Sequence, residues 1–266
     1  LKIYCESLMR KLEFPDKIER IVSLVSGFTE TIFEMGHGER IVGVSKYCSR
    51  YVNHPSAEVV GDYLKVDLSK LKSLRPDLVL LTTGVQTQLA LDLLRKNLPV
   101  CVLPLPRSIN GVWENVMLIG GLLNDVKSAR ELVLKWQEVF FNGRETLSER
   151  PSAYVELWFG KHMRTVGGLS FVNDLVEYAG VKNIFSDVNE SFFVPPLKEV
   201  HRRRPKFIIF FYEPEFPIDP YRIIESRGWD WKAKLIESTV ECGKNLIHDG
   251  PSMMRTIQWL REQIWG

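Results

Sequence analysis

Asp67-Leu-Ser-Lys-Leu-Lys-Ser-Leu-Arg75-Pro76-Asp77-Leu-Val-Leu-Leu81 is matched in pattern by Pro196-Leu-Lys-Glu-Val-His-Arg-Arg-Arg204-Pro205-Lys206-Phe-Ile-Ile-Phe210, proline for proline, at an offset of 129 residues. Each stretch reads as a short amphipathic helix, a proline that stops it, and an apolar run of strand length. A strand without polar alternation is what a parallel sheet covered on both faces requires. The unit appears twice, half a chain apart. The expected fold is therefore α/β: two similar lobes with parallel-type sheets and a ligand cleft between them.

Around the first unit the same alternation continues. Residues 1–14 read as a strand pair closed by Pro15, and Ile21–Val25 as the first core strand. Ser26 is expected to cap a helix over about 28–34 that carries Glu30 in its first turn. Ile41–Ser45 is the next strand, followed by a polar, aromatic loop from Tyr47 to Pro55. Strand 78–81 leads into Thr82-Thr83-Gly84, then a helix over about 88–96 and strand 100–103. This succession is that of a doubly wound, Rossmann-like lobe. From Ala129 to Phe140 apolar residues recur at helical spacing, after breaks at Gly120-Gly121 and Asn124-Asp125. One long backbone helix is expected over about 126–147, about 30 Å at roughly 1.5 Å per residue, joining the lobes. The lobes are placed at 1–125 and 149–266, with the inter-lobe helix at 126–148. In the second, a strand at 153–158, a helix at 171–179 and an aromatic loop from Asn189 to Pro196 precede the repeat. The Pro- and acid-rich stretch 213–220 then leads to a Trp-rich helical piece near 229–235. Pro251 suits the first turn of the last helix.

Bulk composition excludes several classes. The 266 residues are 45% hydrophobic and 26% charged with a net charge of +2, an average globular balance with no field that argues for nucleic acid. Arg202-Arg203-Arg204 sits at a helix end, where cations complement the dipole. Four cysteines, Cys5, Cys48, Cys101 and Cys242, show no CxxC and no metal spacing, so no disulfide framework is expected. The five histidines have no mutual spacing for a metal cage. No apolar run is long enough to span a bilayer. No export signal is visible, and the chain starts at Leu1; the protein is expected outside the cytoplasm if a leader has been removed and inside it if the chain is complete. No heptad run suggests an oligomer, and a monomer is expected.

Ligands of α/β lobes meet the loops beyond the carboxyl ends of the strands. Those loops carry Tyr47, Tyr51, Tyr63, Trp158, Phe159, Phe192 and Phe193. Aromatic side chains offer roughly 150–250 Å² each at little entropic cost, which suits a large, flat, partly apolar ligand. Thr82, Thr83 and Gly84, and His248 and Asp249 before the last helix, are candidates for polar orientation. Core packing is the competing reading for the rings, and local hydrogen bonding for His248.

Arg20-Ile-Val-Ser-Leu-Val-Ser-Gly-Phe-Thr29-Glu30, Arg40-Ile-Val-Gly-Val-Ser-Lys-Tyr47, Leu74-Arg-Pro-Asp-Leu-Val79 and Gly250-Pro251 resemble the helical-backbone (class III) substrate-binding proteins of ABC importers. The vitamin B12 (cobalamin)-binding members are nearest in pattern, with ferric-siderophore and haem binders as cousins. The resemblance runs from about residue 4 to the last helix. It implies two Rossmann-like lobes joined by one helix, ligand capture without catalysis, an ABC permease as partner, and no intrinsic cofactor. It places Tyr47, Tyr63 and Phe192 where the B12 binders present aromatics to the corrin, with Trp158 or Phe159 near a fourth such position. Asp249 or its neighbour approximates an acid of the last loop. A ferric siderophore would instead recruit Lys46, Arg50, Lys161 or Arg164, and haem an axial Tyr47 or His248.

The chain departs from that pattern in two places. Met9 stands where the family usually has glycine. The acids by which family members dock on the permease fall at Ser69 and Lys198; Glu199, adjacent, would face about 100° away on a helix. Besides import of a corrinoid, two readings stand open: a chelatase-like enzyme inserting metal into a tetrapyrrole, and a corrinoid scavenger or sensor outside transport. The sequence sets no nucleophile beside a base and no paired carboxylates at suggestive spacing.

Overall fold

The computed structural model describes residues 1–53, 56–141 and 150–266. They form two compact units. The N-terminal lobe comprises residues 1–106, 110–138 and 248–251, and the C-terminal lobe residues 107–109, 139–247 and 252–266.

The chain opens with an antiparallel hairpin, β1 (Lys2–Cys5) and β2 (Arg10–Glu13), joined by a 3-10 turn over Glu6–Leu8. The turn ends at Met9 with φ of 51°, in the left-handed region. A β-carbon is disfavoured there, so the glycine expected from the resemblance has a steric reason. Next come β3 (Ile21–Ser23), α1 (Ser26–Glu34), β4 (Ile41–Ser45), β5 (Glu58–Gly61), α2 (Leu68–Ser73), β6 (Leu78–Thr82), α3 (Thr87–Arg95) and β7 (Val100–Leu103). The sheet order is β5-β4-β3-β6-β7, all parallel. Every residue of β3, β6 and β7 is buried, as the unbroken apolar runs required. The connections reverse direction between β3 and β6. This is the topological switch point, where loops splay apart and leave room for a ligand.

α4 (Ile109–Leu122) and α5 (Val126–Phe141) follow. Gly120-Gly121, read in the sequence as a break, lies inside α4. A β-carbon at Gly120 would sit 2.4 Å from the Ala129 Cβ of α5, so the glycine lets the two helices approach. Gly120→Ala should destabilise the protein by about 1–3 kcal/mol, read as a lower urea midpoint at unchanged slope. The turn between the helices is made at Asn124 (φ 55°). The expected extension of the helix to 147, the boundary at 148/149, and His54 and Pro55 of the first aromatic loop lie outside the described residues.

The C-terminal lobe contains β8 (Ser152–Phe159), β9 (His162–Val166), α6 (Phe171–Tyr178), β10 (Lys182–Asn183), β11 (Phe192–Phe193), α7 (Leu197–Arg203), β12 (Phe207–Tyr212), α8 (Pro220–Ser226), β13 (Lys234–Ser238) and α9 (Met253–Trp265). β8, β12 and β13 are parallel, β10 joins the amino end of β8 in parallel, and β9 and β11 add antiparallel at its carboxyl end. Tyr154, Phe185, Val200, Ile208, Phe210 and Trp229 form the core under this sheet.

Both lobes are α/β with parallel sheets, as the repeat implied. The two copies agree to the backbone. Arg75 and Arg204, each just before its proline, have φ of 45° and 42°, closing α2 and α7 with the left-handed residue that commonly ends a helix. Three local readings change. Phe192-Phe193 is a short strand on β9, where an aromatic loop was expected, because its hydrogen-bond partners come from a hairpin not visible as a pattern. The segment near Trp229–Leu235 is not helical. Asp219 caps α8 with Pro220 in its first turn, Gly228 (φ 62°) follows the helix, and Lys234–Ser238 pairs with β12. Finally, Ser26 is the first residue of α1 and makes no cap bond to its backbone; Val25 occupies the cap position.

Candidate functional site

In the N-terminal lobe, Tyr47 follows β4 by two residues, Tyr63 follows β5 by two, Thr83 and Gly84 follow β6, and Leu24 and Val25 link β3 to α1. Parallel strands bring all these ends to one edge of the sheet. The short stretch His248–Pro251 packs into the same lobe.

His248 is the anchor of that stretch. It is buried (3% exposed), its Nε2 lies 2.7 Å from Glu30 Oε2, and its Nδ1 is 3.3 Å from Ser26 Oγ. Tyr51 stacks on the ring at 3.6 Å between centroids and 5° between planes. Ser26 and Glu30 are four residues apart on α1, hence on one face. Together they grip one imidazole. Gly27 makes the seat: a β-carbon there would lie 2.5 Å from Asp249 Oδ1 and 2.8 Å from the Asp249 carbonyl carbon. Serine, histidine and glutamate in line have the residue types of a nucleophilic relay, a juxtaposition the sequence did not show. Here their hydrogen bonds hold the last loop against the first helix.

Asp249 keeps partial exposure, yet the protein packed about its carboxyl raises its pKa, opposed by His248 and reinforced by Glu30. The phenol of Tyr63 is likewise pushed up, first by burial and then by the charge of Asp249. A carboxyl whose folded pKa lies above its unfolded value binds more protons in the native state. Stability therefore falls as pH rises from about 4 through the folded pKa. Asp249→Asn should raise the melting temperature by about 2–4 °C at pH 7–8 and change it little at pH 4, by calorimetry.

Tyr63 is fixed from behind by Gln86. This fully buried amide donates to the Tyr63 carbonyl at 2.8 Å and accepts from Thr82 N–H at 2.9 Å. The Thr83 hydroxyl accepts from Leu105 N–H at 2.8 Å, and Gly84 is exposed. Tyr47 is half-buried, with Lys46 Nζ and the Arg50 guanidinium each 5.0 Å from its ring centre, within cation–π range. Alongside β5, a groove of about 370 Å³ is lined by residues including Lys46, Asp62, Lys65, Asp67 and Lys70.

In the C-terminal lobe, Trp158 and Phe159 end β8. Phe159 meets Phe192 edge-on at 6.5 Å, and Phe193 packs inward on Phe185 at 5.5 Å. The Trp158 indole N–H donates to Glu156 Oε1 at 2.8 Å. Glu156, wholly buried, also accepts from the Tyr154 hydroxyl at 2.8 Å and from Arg227 through both oxygens, at 2.6 and 2.9 Å.

The structure thus groups Tyr63, His248 and Asp249 in one lobe with Tyr47, Thr83 and Gly84 on neighbouring strand ends. In the other lobe it groups Phe159 with Phe192, and orients Trp158 through Glu156. Ser69 and Lys198 are exposed on α2 and α7. Glu199 is held by Arg202 and Arg203, whose hydrogen bonds first, and charges second, lower its carboxyl pKa to about 2. Sequence reasoning placed Tyr51 among the loop aromatics but gave it no role, and did not assign site roles to Glu30, Ser26, Gln86, Glu156 or Arg227. Only the Ser26/Glu30 spacing carried a signal. Among the described residues no cluster of three or more His, Cys, Asp or Glu could hold a metal ion, and no helix is long and apolar enough to cross a membrane.

Two α/β lobes with aromatic strand-end loops define a ligand-capturing protein. Residues 21–229 match the family described as periplasmic binding protein, and the chain belongs to that family. It is similar to a cobalamin-binding protein of Halobacterium salinarum, 28% identical over 187 residues, covering 68% of this chain and 50% of the relative. The chain thus spans about half the length of that relative. Among solved structures it is similar to a possible iron-binding (periplasmic solute-binding) protein of Staphylococcus epidermidis (TM-score 0.78, 24% identity, 94% of this chain and 100% of the other). It is also similar to the periplasmic haem-binding protein HutB of Vibrio cholerae (TM-score 0.75, 15% identity, 93% and 99%). At these identities the structural likenesses speak to fold.

Proposed function

We propose that the chain captures a corrinoid on the loops at the carboxyl edges of its sheets and hands it, without chemistry, to an ABC permease outside the cytoplasm. The observation that carries this is the set of half-buried rings, Tyr47, Tyr51 and Tyr63, at one sheet edge, held there by Gln86 and His248. Flat, rigid, partly exposed rings suit a macrocycle, and the cobalamin-binding name of the Halobacterium relative points the same way. The test is a thermal-shift and absorbance titration with cyanocobalamin, a ferric hydroxamate and haemin. Saturable stabilisation by cyanocobalamin is expected, with Tyr63→Ala weakening it about 10–100-fold through loss of one buried ring.

A second reading, an anionic ferric chelate or haem, draws on Lys46 and Arg50 flanking Tyr47. Stabilisation by the hydroxamate or haemin in place of cyanocobalamin would favour it. In either case the basic residues around Ser69 and Lys198, and the pairing of ionised Glu199 with Arg202 and Arg203, suit a permease whose docking surface is acidic. Stabilisation by none of the three ligands would sink both readings.

A further inference from the structure

The groove beside β5 abuts the aromatic strand ends of the N-terminal lobe. Lys46 belongs to both: it lines the groove, and its Nζ lies 5.0 Å from the centre of the Tyr47 ring. Asp62, also in the groove wall, immediately precedes Tyr63. The wall is a tight reversal of the chain after the edge strand β5. Asp62 N–H donates to the Lys65 carbonyl at 2.8 Å, Asp67 N–H donates to the Val60 carbonyl at 2.7 Å, and Gly61 bridges Val66. A β-carbon at Gly61 would collide with the Lys65 carbonyl, so glycine permits the close approach.

Five charged side chains line the groove: Lys46, Asp62, Lys65, Asp67 and Lys70. Both carboxylates are engaged by backbone amides. Asp62 Oδ1 accepts from Leu64 and Lys65 N–H, each at 2.8 Å, and Asp67 Oδ1 accepts from Lys70 N–H at 3.0 Å. Among the described residues no ion pair holds any of the three lysines. Three ammonium groups thus line a cavity of about 370 Å³ that also includes the buried Val60 and the half-buried Val66. Lysine is a compact charge with three rotatable donors, suited to an oxyanion. Apolar surface beside it lowers the local dielectric and strengthens that attraction.

We propose that this groove holds the phosphate-bearing side arm of the ligand while its ring lies on Tyr47 and Tyr63. The inference rests on the corrinoid reading above and narrows it. The ligand class is a complete corrinoid, whose nucleotide arm is joined through a phosphodiester. Lys46 stands at the junction of ring site and groove, and Lys65 and Lys70 supply the remaining positive charge. The sugar and base of the arm meet Val60 and Val66. Hydrogen bonds already fix the wall, so little freedom is lost when the arm enters.

The test compares two probes that share the ring: cyanocobalamin, and dicyanocobinamide, which has no phosphate, sugar or base. Both are titrated into the full chain by absorbance and thermal shift, at low and high sodium chloride (about 20 and 300 mM). At low salt the wild type should bind cyanocobalamin about tenfold tighter than dicyanocobinamide, and the gap should narrow at high salt as the lysines are screened. Lys65→Ala and Lys70→Ala, both at exposed positions, should each weaken cyanocobalamin roughly threefold and leave dicyanocobinamide within about twofold. The double variant should lose most of the salt dependence, with the melting temperature of the unliganded protein unchanged. Equal affinity for the two probes, or unchanged cyanocobalamin affinity in the double variant, would overturn the arm site and leave the corrinoid reading standing. Equal losses for both probes would assign the lysines to the ring and overturn it too. Binding of neither probe by the wild type would remove the corrinoid reading itself, and the arm site with it.

Discussion

Arg227→Met should lower the stability of the protein by about 3–5 kcal/mol and its melting temperature by roughly 10 °C. Glu156 is wholly enclosed, and Arg227, itself 12% exposed in its side chain, is its ionic partner. Removing the guanidinium leaves a buried carboxylate with only the Tyr154 hydroxyl and the Trp158 indole for support. Two neutral hydrogen bonds do not offset the desolvation of a full charge. The arginine also lies 4.9 Å from the Trp229 ring, so truncation costs packing as well. Adding Glu156→Gln should recover most of the loss, because the penalty comes from the stranded charge. Urea unfolding of wild type, single and double variants measures this directly. A single variant within 1 kcal/mol of wild type would show that the pair is not the buried clamp described above.

His248→Ala should destabilise the N-terminal lobe by about 3 kcal/mol and abolish ligand binding at concentrations that saturate the wild type. The substitution takes the imidazole from Glu30, a carboxylate only 4% exposed, and strips Tyr51 of the ring it stacks upon. The last loop then loses its grip on α1, and Asp249 its seat beside Gly27. His248→Gln, which can still hydrogen-bond but cannot stack, should restore part of the stability and little of the binding. Equal recovery of both would mean that the histidine matters only as a hydrogen-bonding strut. Calorimetry and the cyanocobalamin titration, run on the same samples, separate these outcomes.

What the sequence revealed and what it hid divide along the distance between interacting residues. The repeated Arg-Pro unit was legible because helix, stop and apolar run are neighbours in the chain, and both lobes follow from it. The rings of Tyr47, Tyr63 and Trp158 were legible as strand-end residues for the same reason. Phe192-Phe193 was misread because its strand exists only through pairing with β9, itself unannounced between two aromatic stretches. Trp229–Leu235 was misread because tryptophans suit helix and loop alike, whereas the period-two burial of β13 appears only once β12 lies beside it. The grip on His248 reaches across 218 residues to Glu30. The Glu156–Arg227 clamp likewise joins segments with no local signature. In each case the sequence names the chemical groups, and the fold chooses their partners.

The placement of His248–Pro251 among the N-terminal elements has a consequence for the order in which the protein can be made. A ribosome delivers residues 1–106 first, yet the buried carboxylate of Glu30 meets its imidazole only once residue 248, 218 positions later, has emerged. The first lobe therefore cannot close vectorially, one domain behind the other, as many two-domain chains do. Until then it remains a nascent sheet with an open corner, and any truncation before residue 248 removes part of the N-terminal lobe. Such late completion leaves the N-terminal lobe unlocked until the loop at 248–251 has been made.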